Sequence, residues 1–265
     1  MSGHQHIAVC FCLVFLTLPC RGADLQEIVS RGTAILKFDW AADSDYAYVE
    51  KDEAQKGDST TSKTSQVVYI AGSDYYMPLG VDGQPERGEL EKLKNEVQRR
   101  NTESADERRK RLEKYHKQRS ENEAIVLDFP NAFNFELLRG ETMNGYPAYV
   151  LSGTPKKRTG PLSLAAKVLS GMRGTIWIDK ETFHAIRVEC DVMIPVPVYG
   201  VLARVLPGTH IEFGMTPVTH STWLVGDLSM KLRVSKLFFK STQLTHSTYT
   251  NYRLNTLVLA DLLSK

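Results

Sequence analysis

The sequence predicts an α+β protein: a strongly curved antiparallel β-sheet covered by helices, with a long charged helical insertion. Three observations predict it. Segments rich in Val, Ile and Tyr alternate apolar and polar residues with period two through most of the second half of the chain. Asn144-Gly145 stands between two such segments, and that dipeptide favours the type I′ turn that joins antiparallel neighbours. Helical periodicity is confined to the beginning, to one short stretch near Leu162 and to a charged run from Glu86 to Glu123.

The elements follow in order. Behind Asp24, a good N-cap residue, Leu25, Ile28, Val29, Ile35, Leu36 and Trp40 recur at helical spacing, with Gly32 weakening the middle. Tyr46 to Val49, Gln66 to Ile70 and Asp74 to Met77 are the first strands, separated by Gly, Ser, Asp and Thr. From Glu86 to Glu123 twelve Lys/Arg and ten Asp/Glu fall within thirty-eight residues, a single long helix with a narrow stripe of Leu90, Leu93, Val97, Leu112 and Tyr115. Its run Arg108-Arg-Lys-Arg111 is read as a solvated face paired at spacings of three and four, or as a docking patch for anionic lipid or an acidic partner. Phe133 to Leu138 and Tyr146 to Leu151 form a hairpin about Asn144-Gly145.

Leu162, Ala165, Leu169 and Met172 trace a short helix that ends near Gly171. Gly174 to Thr182 and Ala185 to Met193 form a second hairpin, with Ile176, Ile178, Ile186, Val188 and Val192 on one face and Thr175, Trp177, Arg187, Glu189 and Asp191 on the other. Further strands are expected at Tyr199 to Val205, His210 to Phe213, Trp223 to Val225, Met230 to Val234 and Leu237 to Tyr252. The apolar parity changes near Ser235-Lys236, which predicts a bulge or bend there.

The composition of 265 residues, 42% hydrophobic and 24% charged, excludes a wholly disordered chain, a collagen and a polytopic membrane protein. A net charge of +2 gives no field for nucleic acid, which is not expected as a partner. Ile7 to Pro19 is an apolar run of thirteen, suited to a secretory signal and short for a membrane span. Residues 1–23 are therefore expected to be a signal peptide and 24–265 one domain, with an uncleaved anchor as the lesser alternative. Cleavage would remove Cys10, Cys12 and Cys20 and leave Cys190, which the alternation places as a buried small hydrophobe.

The chemistry is sparse. No G-x-S-x-G, no H-E-x-x-H, no phosphate-binding glycine loop and no paired Cys occurs in the sequence. His210 and His220, facing each other across a hairpin with Glu212 or Asp227, would be the one candidate metal set, and scattered strand histidines are the commoner explanation. Glu189 and Asp191 beside Trp177 are a carboxylate pair of the kind a glycosidase uses, but alternating charges on a solvent face explain them without it. No enzyme, metal or cofactor is expected.

Gly174-Thr-Ile-Trp-Ile-Asp-Lys-Glu-Thr182, with its W-I-D-x-x-T pattern and the following Arg187-Val-Glu189, resembles the strand-turn-strand signature of the bacterial outer-membrane lipoprotein-sorting superfamily typified by LolA and LolB. Asn144-Gly-Tyr-Pro-Ala-Tyr-Val150 and Pro207-Gly-Thr-His-Ile-Glu-Phe213 resemble exported relatives of that group. The resemblance implies a half-barrel of about eleven antiparallel strands, lidded by helices, whose concave apolar face holds acyl chains. Residues expected to line it, by alternation, are Ile176, Ile178, Ile186, Val188, Val192, Ile194, Met230, Leu232 and Val234, with Leu25, Ile28, Leu162 and Leu169 in the lid. The expected function is a periplasmic, non-enzymatic, monomeric carrier of a lipid or lipidated protein in a Gram-negative-type envelope. The alternative is a periplasmic interaction or sensor module on the same half-barrel, docking another envelope protein through the charged helix.

Overall fold

The computed structural model describes residues 24–157, 164–198, 203–237 and 239–265. The expected signal segment, Leu162 and the first four residues of the strand expected from Tyr199 lie outside these. Helix α1 (Leu25–Ala42) starts where Asp24 caps it by accepting from the Glu27 N–H at 2.8 Å. Strands β1 (Tyr46–Lys56), β2 (Ser59–Ile70) and β3 (Ser73–Pro78) form a meander.

The charged stretch is two helices, α2 (Glu89–Thr102) and α3 (Ala105–Ala132), where one was expected. The break at Glu103-Ser104 is a capping box: the Ser104 side chain accepts from the Glu107 N–H, and Glu107 accepts from the Ser104 N–H. α3 also runs beyond Glu123, directly into β4 (Phe133–Met143). β4 turns into β5 (Tyr146–Pro155) through Asn144 and Gly145 at φ 51° and 87°, as a type I′ turn requires. Helix α4 (Leu164–Ser170) is shorter than expected, because Met172 already belongs to β6 (Met172–Asp179). Then come β7 (Ala185–Val192), β8 (Val196–Pro197), β9 (Ala203–Val205), β10 (His210–Pro217), β11 (Trp223–Lys236), β12 (Phe239–Leu254) and α5 (Asn255–Leu263). The parity change near Ser235 is a chain reversal and no bulge: Lys236 pairs with Phe239, with Leu237 at φ 53° between them.

All strands join one twelve-stranded antiparallel sheet whose main path is β3-β2-β1-β12-β11-β10-β7-β6-β5-β4, with β9 pairing β11 and β8 pairing β9. The sheet is open, with β3 and β4 at its edges. On one end of its convex side α2 and α5 cover β1 to β3, burying Ala47, Val68, Ile70, Met77, Leu93, Val258 and Leu262 in one cluster. On the concave side α1 places Ile28, wholly buried, against Leu151, Ile176, Ile178 and Phe183. α4 and the end of α3 contribute Leu169 and Ala132 to a second concave cluster with Met172, Cys190, Val192, Val196 and Val205.

α3 crosses the concave side from one edge of the sheet to the other. Near its start the Arg111 guanidinium donates to Ser73 Oγ at 2.7 Å and to the Ala71 carbonyl at 3.1 Å, gripping the β2–β3 turn. Buried Arg100 of α2 grips the same turn through the carbonyls of Ile70 and Ser73, each at 2.9 Å. Midway, Arg119 donates to Asp43 at 3.0 Å and lies over the Trp40 ring, tying α3 to the end of α1. Two arginines of the charged stretch, Arg100 and Arg111, therefore hold its helices to the sheet, and a third, Arg119, holds α3 to α1.

Candidate functional site: the concave face

In an antiparallel sheet, directly opposed residues point to the same face, so the register gives the composition of the concave surface strand by strand. One row runs Asp52 (β1), Ser247 (β12), Leu228 (β11), Phe213 (β10), Val188 (β7), Ile176 (β6) and Leu151 (β5). The next runs Ala54, Thr245, Met230, Ile211, Cys190 and Gly174. From β11 onward each row is apolar, while β12, β1 and β2 supply hydroxyls, carboxylates and tyrosines. The concave face is amphipathic, with its boundary between β11 and β12.

The two halves are covered differently. Under α1 and α4 the apolar half is packed: Ile176, Ile178 and Val192 are buried. In the middle, Ile211, Phe213, Leu228, Met230 and Leu232 are only half-buried, so apolar surface stays open at the centre of the sheet. Away from that centre, at the β4 edge, a cavity of about 730 Å³ lies between α1 and the start of β4, lined by Leu25, Val29, Ala34, Phe133, Phe135 and Lys156 among others.

The polar half is desolvated. Ser247, 4% exposed, donates to Asp52 at 2.5 Å. Glu50 lies cross-strand from Tyr249, and its Oε2, like Thr245 Oγ1, is buried without a hydrogen-bond partner among the described residues. Burial, and next the charge of Asp52, pushes the Glu50 carboxyl up to about 7, against the opposing pull of Lys63. Burial likewise raises Asp74 and pushes the phenols of Tyr48, Tyr69, Tyr76 and Tyr252 well above their ordinary value, and Tyr249 to about 12. Tyr48 meets Tyr249 edge-on at 5.8 Å and Tyr252 at 5.3 Å, so this wall is a tyrosine cluster.

Most residues expected to share the concave face do so: Ile176, Ile178, Val188, Val192, Leu232 and Val234 pack in the two concave clusters, and Met230 stands on the same face by register. Two do not line it. Ile186 packs on the convex side with Trp177, Trp223, Ala148 and Val150, because a bulge opposite Trp177 and Ile178 shifts the parity of β7 by one residue. Ile194 lies beyond the end of β7 and is 58% exposed. Sequence reading missed the polar wall and missed Ile211, Phe213 and Leu228. Leu228 shares parity with Met230, the one signal that could have found it.

The candidate His210/His220 facing pair, the less favoured reading of these histidines, does not form: His210 opens β10, whereas His220 lies past its other end. His210 Nδ1 is 2.9 Å from Asp191, and Arg187 bridges Glu189 and Glu212 at 2.8 and 2.6 Å, giving a paired convex face. Among the described residues no group of His, Cys, Asp or Glu is arranged to hold a metal. Cys190 is buried, and its thiol is pushed up to about 12 by burial. Among the described residues no helix is long and apolar enough to cross a membrane.

At its far end α1 is pinned. Asp39, 4% exposed, accepts from the Trp223 N–H at 3.1 Å and lies 3.6 Å from the Nε2 of buried His184, which stacks on Trp223. The helix over the apolar half is therefore fixed at its C-terminal end and bounded by the open cavity at its N-terminal half.

No family model and no curated protein matches this sequence. Among solved structures, the chain is similar to a LolA superfamily protein from Nitrosomonas europaea, at 11% identity over 88% of this chain and 94% of that one, TM-score 0.36. It is similar to a putative outer membrane lipoprotein-sorting protein domain from Vibrio parahaemolyticus, at 13% identity over 87% and 99%, TM-score 0.35. A Pseudomonas aeruginosa MucA/MucB complex also matches, at 10% identity over 83% and 94%, TM-score 0.24.

Proposed function

We propose that the protein is an exported, non-enzymatic carrier that works in a Gram-negative-type periplasm as a monomer and holds a lipid, or the acyl part of a lipidated protein, against its concave face. One observation carries the reading. Half-buried Ile211, Phe213, Leu228 and Met230 adjoin the desolvated polar wall of Glu50, Asp52 and Ser247 on one surface, an arrangement suited to an amphiphile. The chain of the ligand lies along β10 and β11, where Val188, Leu232 and Val234 extend the apolar surface. Its polar end meets β12 and β1. Ile176, Ile178 and Val192 form the packed floor beneath α1 and α4 and shift only if those helices move. The driving force is transfer of methylenes from water, about 0.8 kcal/mol each.

Native mass spectrometry tests this on mature protein purified gently from its own envelope, before and after organic extraction. The carrier reading expects an added mass of a few hundred daltons or more that extraction removes. It also expects delipidated protein to take up a fluorescent fatty acid stoichiometrically. Apo protein that takes up nothing would overturn it and leave the docking module, acting through α3, as the reading to pursue.

A further inference from the structure

We infer that the sheet end formed by β8, β9 and the β11–β12 hairpin is a membrane-contacting rim that seats on an anionic lipid surface. The hairpin protrudes. Pairing of β12 with β1 ends at Gln243 opposite Lys56, yet β12 continues four residues further to Phe239, about 13 Å at strand rise. Pairing of β11 with β10 ends at Lys231 opposite His210, beyond which only β9 supports it. A protruding tip in water is expected to be polar. This one carries Leu237 at 64% exposure and Phe239 at 79%.

Apolar exposure continues along the same end. Val234 pairs with Val205 and Val205 pairs with Val196, both of the latter buried, and three and two residues before Val196 stand Met193 and Ile194, 54% and 58% exposed. At about 4.8 Å per strand the rim spans roughly 15 Å. Exposed apolar groups gathered at one end mark a contact surface, while single ones do not.

Charge identifies the partner. From Leu228 to Ala260 the sequence has five Lys/Arg and no Asp or Glu, and from Val192 to Ile211 it has Arg204 and no acid, in a chain whose total charges nearly balance. Lys231, Lys236, Lys240 and Arg204 are exposed and form no ion pair among the described residues. Apolar side chains at the tip with a collar of unpaired cations fit the acyl boundary and the phosphates of an anionic leaflet. The rim also borders the concave cluster that contains Val192, Val205, Leu232 and Val234, so a seated molecule turns that end of the groove toward the bilayer.

Co-sedimentation of ligand-free protein with vesicles tests this independently of the carrier reading, which fatty-acid uptake in the absence of vesicles tests. The protein is expected to bind phosphatidylcholine vesicles containing about 30% phosphatidylglycerol, to bind pure phosphatidylcholine far more weakly, and to be released as salt shortens the screening length. Lys236→Gln with Lys240→Gln lowers partitioning about thirtyfold, and Leu237→Ser with Phe239→Ser lowers it about tenfold or more. Lys114→Gln with Lys117→Gln on α3 leaves it unchanged. Absence of binding, equal binding to both vesicle types, tip variants that bind like the parent, or an equal loss in the α3 variant would each overturn the inference.

Discussion

Replacing Glu50 by Gln isolates the cost of keeping a carboxyl in the desolvated wall of the groove. In the folded protein this group holds its proton up to about 7, against an ordinary value of 4.5, chiefly because burial disfavours its charge. The unfolded chain releases the proton near 4.5, so stability falls as pH rises from there to about 7 and the full cost persists above. At 1.36 kcal/mol per tenfold change in proton affinity, the ceiling is about 3.4 kcal/mol. The site borders an open groove, and solvent screening reduces this to about 1–2 kcal/mol. Gln keeps the shape, has no charge to lose, and its amide can donate to Asp52. Urea denaturation at several pH values is the assay. Parent and variant should agree within about 0.5 kcal/mol near pH 4.5, and the variant should be more stable by about 1–2 kcal/mol near pH 8. A difference that stays constant with pH, or a variant less stable near pH 8, would refute the argument.

Further outcomes are expected. Met230→Glu puts a charge on the half-buried apolar strip, so fatty-acid uptake should fall by about tenfold or more while the denaturation midpoint moves little. Asp39→Ala leaves the Trp223 N–H and His184 without their partner in a buried site, costing about 2–4 kcal/mol and speeding amide exchange at the end of α1. Ser104→Ala removes the capping box of α3 at a cost of about 1 kcal/mol, read in thermal denaturation. Cys190, its thiol raised by burial to about 12, should resist alkylation near pH 8 in the native protein and react at once in denaturant.

What the sequence disclosed was local. Asp24 before an apolar period of 3.6, Asn144-Gly145 between alternating segments and the W-I-D hairpin each fix their element through neighbours a few residues apart, and each appears in the fold. The helix break at Ser104 was equally local, because Ser104 and Glu107 form the capping-box spacing, yet the density of charge on both sides masked it. Ile186 shows the limit of alternation: one bulge reverses the face of every residue before it, and no residue type at Ala185 or Arg187 signals it. The amphipathic division of the concave face lay further out of reach. It depends on β1 pairing with β12 and β7 pairing with β10, contacts between segments up to about two hundred residues apart whose register no local pattern specifies.

α3 stands to the sheet as a bowstring to its bow. Its twenty-eight residues make a rod of about 42 Å, anchored at one limb by Arg111 on the β2–β3 turn and continuous at the other with β4. The sheet's two free edges are thereby bridged by a single element, a link between β3 and β4 that no strand pairing supplies. Widening the concave space for a bulky guest must slacken that string, either by releasing the Arg111 grip or by bending the rod, which already contains Pro130 in its last turn. A cut in α3 would let the bow straighten, even with every hydrogen bond between strands intact.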